Sequence, residues 1–197
     1  MSAPAAWVVR FASRIPARGV VLDLAAGSGR HARYLVELGY RVVAVDRDVS
    51  RLFDLVNGQA AEIVEADLEN APWPFPGRRF DGIVVTSYLH RPLLPILAAS
   101  LAPGGVLIYE TFAVGNEKYG RPSNPDFLLR EGELLDAFSQ TLTVVDYGHG
   151  YEERPRPAVK QRICAIADTR HSQGALTEDP SQPEESHADT NRDAQAE

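Results

Sequence analysis

A short segment at residues 20–31 (VVLDLAAGSGRH) combines a carboxylate with a glycine-rich turn. Asp23 lies near the end of an apolar, β-branched run, and Gly27 and Gly29 follow it. Glycine lets a ligand approach the backbone closely, and a helix that starts after such a turn directs free N–H groups at that ligand. The segment therefore predicts a ligand-binding site. The alternative is a tight strand–helix turn without a ligand.

Two further acids follow the next apolar runs. Asp46 ends the run RVVAV about 20 residues after Gly27, where an acid can accept hydrogen bonds from both hydroxyls of a ribose. Asp67 lies in the third run, AEIVEADL, and is predicted to reach the amino group of an adenine. The alternative role for Asp46 is a helix cap, because Asp48 and Ser50 precede the next predicted helix.

The apolar patterns around these acids alternate between the period of a strand and that of a helix. Strands are predicted at 20–22, 41–45, 61–68, 80–89, 106–113, 142–147 and 159–167, with a sharp turn at 102–105 and a linker at 148–157. Helices are predicted at 4–15, 30–38, 50–57, 92–101 and 131–138. This alternation predicts an α/β fold with a doubly wound (Rossmann-like), mostly parallel seven-stranded sheet and an antiparallel last strand. Right-handed crossovers then bring the three acids to one edge of the sheet.

The composition restricts the class of protein. A length of 197 residues suits one domain, predicted at 1–168, and residues 169–197 are predicted to be a disordered acidic tail. The tail holds seven acidic residues and two arginines, so the net charge of −7 leaves −2 for residues 1–168 and no broad basic face for nucleic acid. No apolar run approaches the ~20 residues of a membrane span, and Cys164 is the only cysteine, in a predicted buried strand. We therefore expect a cytoplasmic protein without nucleic-acid or membrane partners; the sequence does not set its oligomeric state.

Together these residues resemble the class I S-adenosylmethionine-dependent methyltransferase family over residues 19–168. That family has an acid followed by three glycines at alternate positions after its first strand. The resemblance implies S-adenosylmethionine as the cofactor and these cofactor-binding residues: Asp23, Ala25, Gly27, Gly29, Asp46, Arg47, Asp67, Leu68 and Ser87. Ala25 departs from the glycine pattern, which implies a negative φ there and slightly less room for the cofactor.

Within the family, the segments GYRVVAVDRD and LLREGELLDAF are similar to the small-molecule branch that includes tellurite-resistance methyltransferases. The resemblance implies a small-molecule methyl acceptor. Because a sulfonium methyl group is already activated, the protein mainly has to position the acceptor in line with it. His90 and Tyr88 follow the fourth strand and are the candidate catalytic residues, His90 as a base and Tyr88 in shaping the acceptor site. Arg30 and His31 are predicted to meet the methionine carboxylate or to be solvated.

An irregular segment at 115–129 follows the fifth strand, and its glycines, prolines and aromatic residues predict a lid over the acceptor. The alternative is permanent packing against the edge of the sheet. The tetrapeptide NPDF that begins at Asn124 resembles the NPPY-type motif of nucleic-acid amino methyltransferases. That motif follows the fourth strand, whereas Asn124 follows the fifth, so the resemblance does not extend to that activity.

Two other classes of protein remain open. An NAD-dependent oxidoreductase would use Gly27, Gly29 and Ala32 as its G-x-G-x-x-A turn and Asp46 for the ribose. Against it, the chain has no second half to hold a nicotinamide, and Asp23 stands where that fold has an apolar residue. A non-catalytic protein of the same fold would keep the nucleotide pocket without transferring a methyl group.

Overall fold

A computed structural model describes residues 3–56 and 60–169, and within them seven strands form one sheet. The strands are β1 (Val20–Leu24), β2 (Arg41–Asp46), β3 (Ala61–Glu65), β4 (Phe80–Thr86), β5 (Leu101–Phe112), β6 (Leu142–Glu152) and β7 (Ala158–Ala167). Their order across the sheet is β3-β2-β1-β4-β5-β7-β6. Every neighbouring pair is parallel except the two pairs that β7 makes. The predicted fold class, with an antiparallel last strand, is confirmed.

Helices cover both faces of this sheet in the described residues. They are α1 (Ala6–Phe11), α2 (Arg30–Glu37), α3 (Phe53–Val56), α4 (Leu94–Ala99) and α5 (Glu133–Phe138). Helices α1 and α2 bury Trp7 and Leu35 on one face, where Cys164 is also buried as predicted, and α4 and α5 bury Leu97 and Phe138 on the other. Each helix is thus held by the apolar side that it places on the sheet. No helix among the described residues is long and apolar enough to cross a membrane.

The centre of the sheet positions the candidate site. From β1 the chain proceeds outward through β2 and β3, and then continues from β4 in the other direction. The helix after β1, α2, packs on one face, whereas the helix after β4, α4, packs on the opposite face. The carboxyl ends of β1 and β4 therefore border a crevice, which is where parallel α/β sheets bind their ligands.

Several predicted boundaries are wrong for reasons of long-range pairing. The first half of the predicted linker at 148–157 is strand, because β6 continues through Gly148 and Gly150 to Glu152 in its ladder with β7. The predicted turn at 102–105 is an irregularity inside β5, where the pairing with β4 skips residues. The helices predicted at 4–15, 50–57 and 92–101 are shorter. The predicted tail falls, apart from Thr169, outside the described residues, so the domain boundary stays a prediction.

Candidate active site

The turn after β1 is built from left-handed backbone conformations. The φ angles are 53° at Ala25, 55° at Gly27 and 74° at Gly29, and a 2.9 Å hydrogen bond from the Gly29 N–H to the Ala26 carbonyl closes the turn. The negative φ expected at Ala25 is therefore wrong, and a side chain in this conformation costs about 1–2 kcal/mol. Such strain is concentrated at ligand sites. A Cβ atom built on Gly27 meets no atom within 4 Å, so this part of the turn faces open space.

Asp46 connects the carboxyl ends of β1 and β2. Its Oδ2 accepts a 2.8 Å hydrogen bond from the Gly27 N–H, and its Oδ1 accepts one of 3.1 Å from the Asp48 N–H. The next helix begins only at Phe53, so Asp46 does not cap it. Each carboxylate oxygen has a second lone pair, so the half-exposed Asp46 can still accept hydrogen bonds from a ligand.

Asp23 lies buried beneath the glycine turn. Its side chain is 1% exposed, and its Oδ2 has no hydrogen-bond partner. Burial raises the pKa of Asp23 to about 7, although the Ala32 N–H and the charge of Arg30 act in the opposite direction. An unpaired buried oxygen costs about 1–3 kcal/mol. This oxygen therefore indicates a ligand that brings an N–H group or a positive charge.

The residues after β3 lie at the same edge. Asp67 accepts hydrogen bonds from the Asn70 side chain and from the backbone N–H groups of Glu69 and Asn70. These bonds, that of the Asn70 side chain first, together with the charge of Arg47, lower the pKa of Asp67, so it is ionised. Leu68 packs into the core beside it. An ionised acid next to an apolar side chain suits a polar aromatic ring such as adenine.

Tyr88 has a buried hydroxyl group without a hydrogen-bond partner. Burial raises its pKa to about 12, and the negative charges of Glu69, Asp67 and Asp46 act in the same direction. Tyr88 therefore stays protonated at physiological pH. Its hydroxyl can donate a hydrogen bond to a ligand, but it is a poor general base.

The carboxyl end of β4 mirrors that of β1. Ser87 has a φ of 54°, and its N–H donates a 2.9 Å hydrogen bond to the carbonyl of Glu110 on β5. Left-handed residues that are not glycine thus follow both strands that border the crevice, Ala25 after β1 and Ser87 after β4. This pairing marks the crevice as the candidate site, since the surrounding structure must hold both residues in a disfavoured conformation.

The sequence predicts that His31 meets the methionine carboxylate of the cofactor or is solvated, whereas the structure places its ring between Ala5 and Thr86. It is 2% exposed, so the solvated interpretation is wrong. Its Nε2 accepts a hydrogen bond from the Ala5 N–H at 3.1 Å, so Nδ1 carries the proton and donates to Thr86 Oγ1 at 3.3 Å. Burial and the charge of Arg30 lower the pKa of His31 to about 4, so it is neutral. A histidine in the first turn of a helix gives no sequence signal of this burial.

His90 lies half-buried in an extended conformation just after β4. The next residue, Arg91, forms an ion pair with Glu133 at 2.6 Å. Its guanidinium also donates to the carbonyls of Asp126 at 2.7 Å and Leu128 at 2.9 Å. Arg91 therefore fixes the end of the 115–129 segment beside the candidate base.

The beginning of that segment is fixed by Asn116, which is 2% exposed. Its side-chain amide donates to the Pro122 carbonyl at 3.0 Å and accepts from the Val159 N–H at 3.2 Å. Between the two anchors the residues are mostly exposed, including about half the surface of Tyr119 and Phe127. The segment is thus held at both ends, and its mostly exposed middle contacts the sheet where Tyr119 packs against Tyr151 of β6, with ring centroids 4.9 Å apart.

A cavity of about 870 Å³ lies at the other edge of the sheet, at the start of β5 and β6 and the end of β7. Its lining includes Leu101, Leu142 and Ala167. It contains neither the glycine turn nor the buried unpaired acid. We assign the candidate site to the carboxyl edge, because left-handed Ala25 and Ser87 and the unpaired oxygens of Asp23 and Tyr88 are there.

Residues 21–105 match a family described as a methyltransferase domain. The match includes β1, the glycine turn, Asp46, Asp67 and Tyr88. The strand order and the antiparallel β7 extend beyond the matched residues and complete an α/β fold around this methyltransferase domain. Over the matched part of its length the chain is similar to the class I S-adenosylmethionine-dependent methyltransferases, whose cofactor is S-adenosylmethionine. This similarity does not favour the oxidoreductase alternative.

Two curated relatives share sequence with part of the chain. Protein-L-isoaspartate O-methyltransferase of Chlorobaculum tepidum is 33% identical over 114 residues, which are 53% of this chain and 50% of the relative. Trans-aconitate 2-methyltransferase of Paracidovorax citrulli is 37% identical over 106 residues, 48% of this chain and 40% of the relative. The chain thus spans half or less of the length of these relatives.

Solved structures share the fold at lower identity. TehB from Haemophilus influenzae superposes with a TM-score of 0.72 at 20% identity, over 85% of this chain and 64% of that one. The 1,6-didemethyltoxoflavin-N1-methyltransferase of Burkholderia thailandensis, solved with its namesake compound and S-adenosylhomocysteine, gives a TM-score of 0.62 at 21% identity, over 82% and 76% of the chains. These likenesses concern the fold alone.

Proposed function

We propose that this protein transfers the methyl group of S-adenosylmethionine to a small-molecule acceptor in the crevice between the carboxyl ends of β1 and β4. The observation that carries the proposal is the buried, unpaired Oδ2 of Asp23 beneath the left-handed glycine turn. The methionine part of the cofactor has an ammonium group, which supplies the N–H donors and the positive charge that this oxygen lacks.

Other residues of the edge suit the remaining parts of the cofactor. Asp46 has free lone pairs for the ribose hydroxyls, and the open space at Gly27 leaves room for the ligand against the backbone. Asp67 and Leu68 offer a polar and an apolar contact to the adenine. We also assign Arg47 and Ser87 to the cofactor-binding residues.

The cofactor supplies an activated methyl group, so this chain has to hold the acceptor in line and exclude water. Tyr88, which stays protonated, acts as a hydrogen-bond donor within the site and not as a base. His90 is the candidate base for acceptors that must lose a proton, because it follows β4 and remains partly accessible.

The 115–129 segment acts as the lid over the acceptor. Its anchors at Asn116 and Arg91 keep it at the carboxyl edge, and its exposed middle carries Tyr119 and Phe127, which can cover a small apolar surface. A lid held at both ends encloses a restricted volume, which favours a small acceptor over a folded macromolecule. The small molecules in the names of two similar methyltransferases, trans-aconitate and 1,6-didemethyltoxoflavin, agree with this size.

The test is calorimetric titration of the full chain with S-adenosylhomocysteine, followed by an acceptor screen with radiolabelled S-adenosylmethionine. We expect stoichiometric binding that weakens at least tenfold in Asp23→Asn. The matched control is Asp81→Asn, because Asp81 accepts a hydrogen bond from Val20 at the opposite edge and should not affect binding. Absence of binding would disprove the proposal, and binding without methyl transfer to any acceptor would favour the non-catalytic alternative.

A further inference from the structure

A polar row crosses the sheet next to the crevice. Thr86 of β4 is level with Glu110 of β5, which is level with Arg162 of β7. These side chains share the face of the sheet that α1 covers, and one layer below them Ile108 and Cys164 are fully buried in the apolar core. With strands about 4.8 Å apart, Arg162 lies about 10 Å from the end of β4, within the reach of a small acceptor.

Two cations in this region are held between two carboxylates. Glu110 contacts Lys160 at 3.0 Å and Arg162 at 3.8 Å. Glu152 contacts Lys160 at 2.5 Å with one oxygen and Arg162 at 2.7 Å with the other. Burial raises the pKa of Glu152, but Lys160 and Arg162 more than offset it and keep the acid ionised.

The two carboxylates are not equivalent. Glu110 is in the middle of the sheet, and its side chain is 8% exposed. Glu152 is the last residue of β6, at the end of a hairpin, and its side chain is 20% exposed. Strand ends open at lower free energy than the middle of a sheet, so Glu152 is the partner that can leave.

There is free space beside Lys160. The β6 residues level with Arg162 and Lys160 are Gly148 and Gly150. The stem of Arg162 itself lies over Gly148, where an added Cβ would meet its Cγ at 3.2 Å. A Cβ atom built on Gly150 meets no atom within 4 Å. A ligand can therefore approach Lys160 from the Gly150 side without displacing a packed side chain.

We propose that Lys160 and Arg162 form a carboxylate-binding subsite for the methyl acceptor, in which Glu152 is a built-in substitute that the acceptor's carboxylate displaces. We refer to this subsite as the cation pair. The inference deepens the proposed function and rests on it for the identity of the ligand as the acceptor. Glu110 stays in place and keeps the two cations oriented when Glu152 leaves. The acceptor is thus a carboxylic acid.

The test uses acetate as the probe, since the smallest carboxylate does not depend on the shape of the acceptor. The thermal unfolding midpoint of the full chain is followed against sodium acetate, with sodium chloride at equal ionic strength and with acetamide as controls. A ligand that binds the native state must raise this midpoint. We expect acetate to raise the unfolding midpoint of the wild-type protein in a saturable way. In Glu152→Ala, half-saturation should occur at no more than one tenth of the acetate concentration that the wild-type protein requires. Glu152→Gln should act in the same direction if the alanine variant does not fold.

Two further variants complete the design. Glu62→Ala removes a glutamate that is bound by Arg78 at the opposite edge, and it should respond as the wild-type protein does. Lys160→Met in the Glu152→Ala background should abolish the acetate effect. A wild-type protein that responds equally to acetate and chloride would mean that Glu152 is a permanent structural partner, and the proposal would be wrong. An undiminished response in the double variant would also overturn it.

The proposed function is tested separately by S-adenosylhomocysteine binding in the same preparations. Failure of that binding refutes the methyltransferase assignment, whereas the acetate series reports only on the cation pair. The two failures are therefore distinguishable.

Discussion

The Asp46 carboxylate accepts a 2.8 Å hydrogen bond from the backbone N–H of Gly27. An acid at the end of β2 thereby holds the turn that follows β1, and the two residues proposed to bind different parts of one cofactor are in direct contact. Any ligand that binds Asp46 also meets a glycine turn whose shape Asp46 helps to set. Substitutions at the two positions should therefore affect the same binding step.

Replacing Gly27 with valine should abolish S-adenosylhomocysteine binding in a folded protein. The added side chain enters the open space at the turn and disfavours a φ of 55°. Gly77→Val is the matched control, because Gly77 has a φ of 73°, an equally open environment and a position outside the crevice. Calorimetry with circular dichroism as the folding check should show lost binding only in Gly27→Val. Equal affinity in the two variants would contradict a cofactor at this turn.

Replacing Asp46 with alanine should weaken cofactor binding at least tenfold. Two hydrogen bonds from ribose hydroxyls to a charged acceptor are lost, each worth about 1.5–3 kcal/mol. Asp48→Ala, two residues along the same loop, removes only a local hydrogen bond to Ser50 and should leave the affinity within twofold of the wild-type value. Titration of both variants checks this, and an unchanged affinity in Asp46→Ala would refute the ribose assignment.

Because of Asp23, the protein without a bound ligand should become less stable as the pH rises. Its pKa is about 7 in the folded state against an ordinary 3.8, so between these values only the folded state holds the proton. The stabilisation that this proton gives the folded state is complete below pH 3.8, and it decreases by about 1.4 kcal/mol per pH unit up to pH 7. The free energy of unfolding is measured in urea at pH 5, 6 and 7. Relative to that of Asp23→Asn, the value of the wild-type protein should fall with this slope as the pH rises. A constant difference would mean that Asp23 is already ionised.

The comparison with Asp23→Asn also separates the effect of Asp23 from that of His31, whose contribution to stability changes with pH in the opposite direction. The pKa of His31 is about 4 in the folded state against an ordinary 6.5, so its contribution is present above pH 6.5 and is lost as the pH falls to 4. Because both proteins contain His31, its effect cancels in the difference.

Cofactor binding should release a proton from Asp23 below pH 7. A cationic ligand next to this acid favours the ionised form and lowers its pKa. The affinity for S-adenosylhomocysteine should therefore rise with pH, by up to about tenfold per unit, and level off above pH 7. Calorimetry in buffers of different ionisation enthalpy measures the proton directly. The proton release should disappear in Asp23→Asn and persist in Asp81→Asn.

Replacing Arg91 with lysine should loosen the 115–129 segment. A lysine cannot reproduce the fork that holds Glu133 together with the carbonyls of Asp126 and Leu128. Amide hydrogen exchange over residues 115–129 should accelerate about tenfold, whereas Arg130→Lys, which alters a side chain that is 76% exposed, should have little effect. In the wild-type protein the exposed middle should become protected once cofactor and acceptor are bound. Equal protection in both states would mean that the segment is not a lid.

The sequence alone was sufficient for the order of strands and helices and for the acids at the strand ends. Asp23, Asp46 and Asp67 each follow an apolar run, and the carboxyl ends of parallel strands must meet at one edge. Local patterns were also sufficient to locate the glycine turn, because the left-handed φ angles at Gly27 and Gly29 are a short-range requirement that glycine meets. These features depend on neighbours in the chain, which is why the sequence reveals them.

Tertiary structure decided the features that depend on partners far apart in the chain. The left-handed conformation of Ala25 is imposed by the turn that packs around it, against the preference of its own side chain. The burial of His31 follows from contacts with Ala5 and Thr86. The cation pair likewise arises only when β5, β6 and β7 come into register and place Glu110 and Glu152 on either side of Lys160 and Arg162. Desolvation and hydrogen bonding between distant segments set these properties, and no spacing along the sequence encodes them.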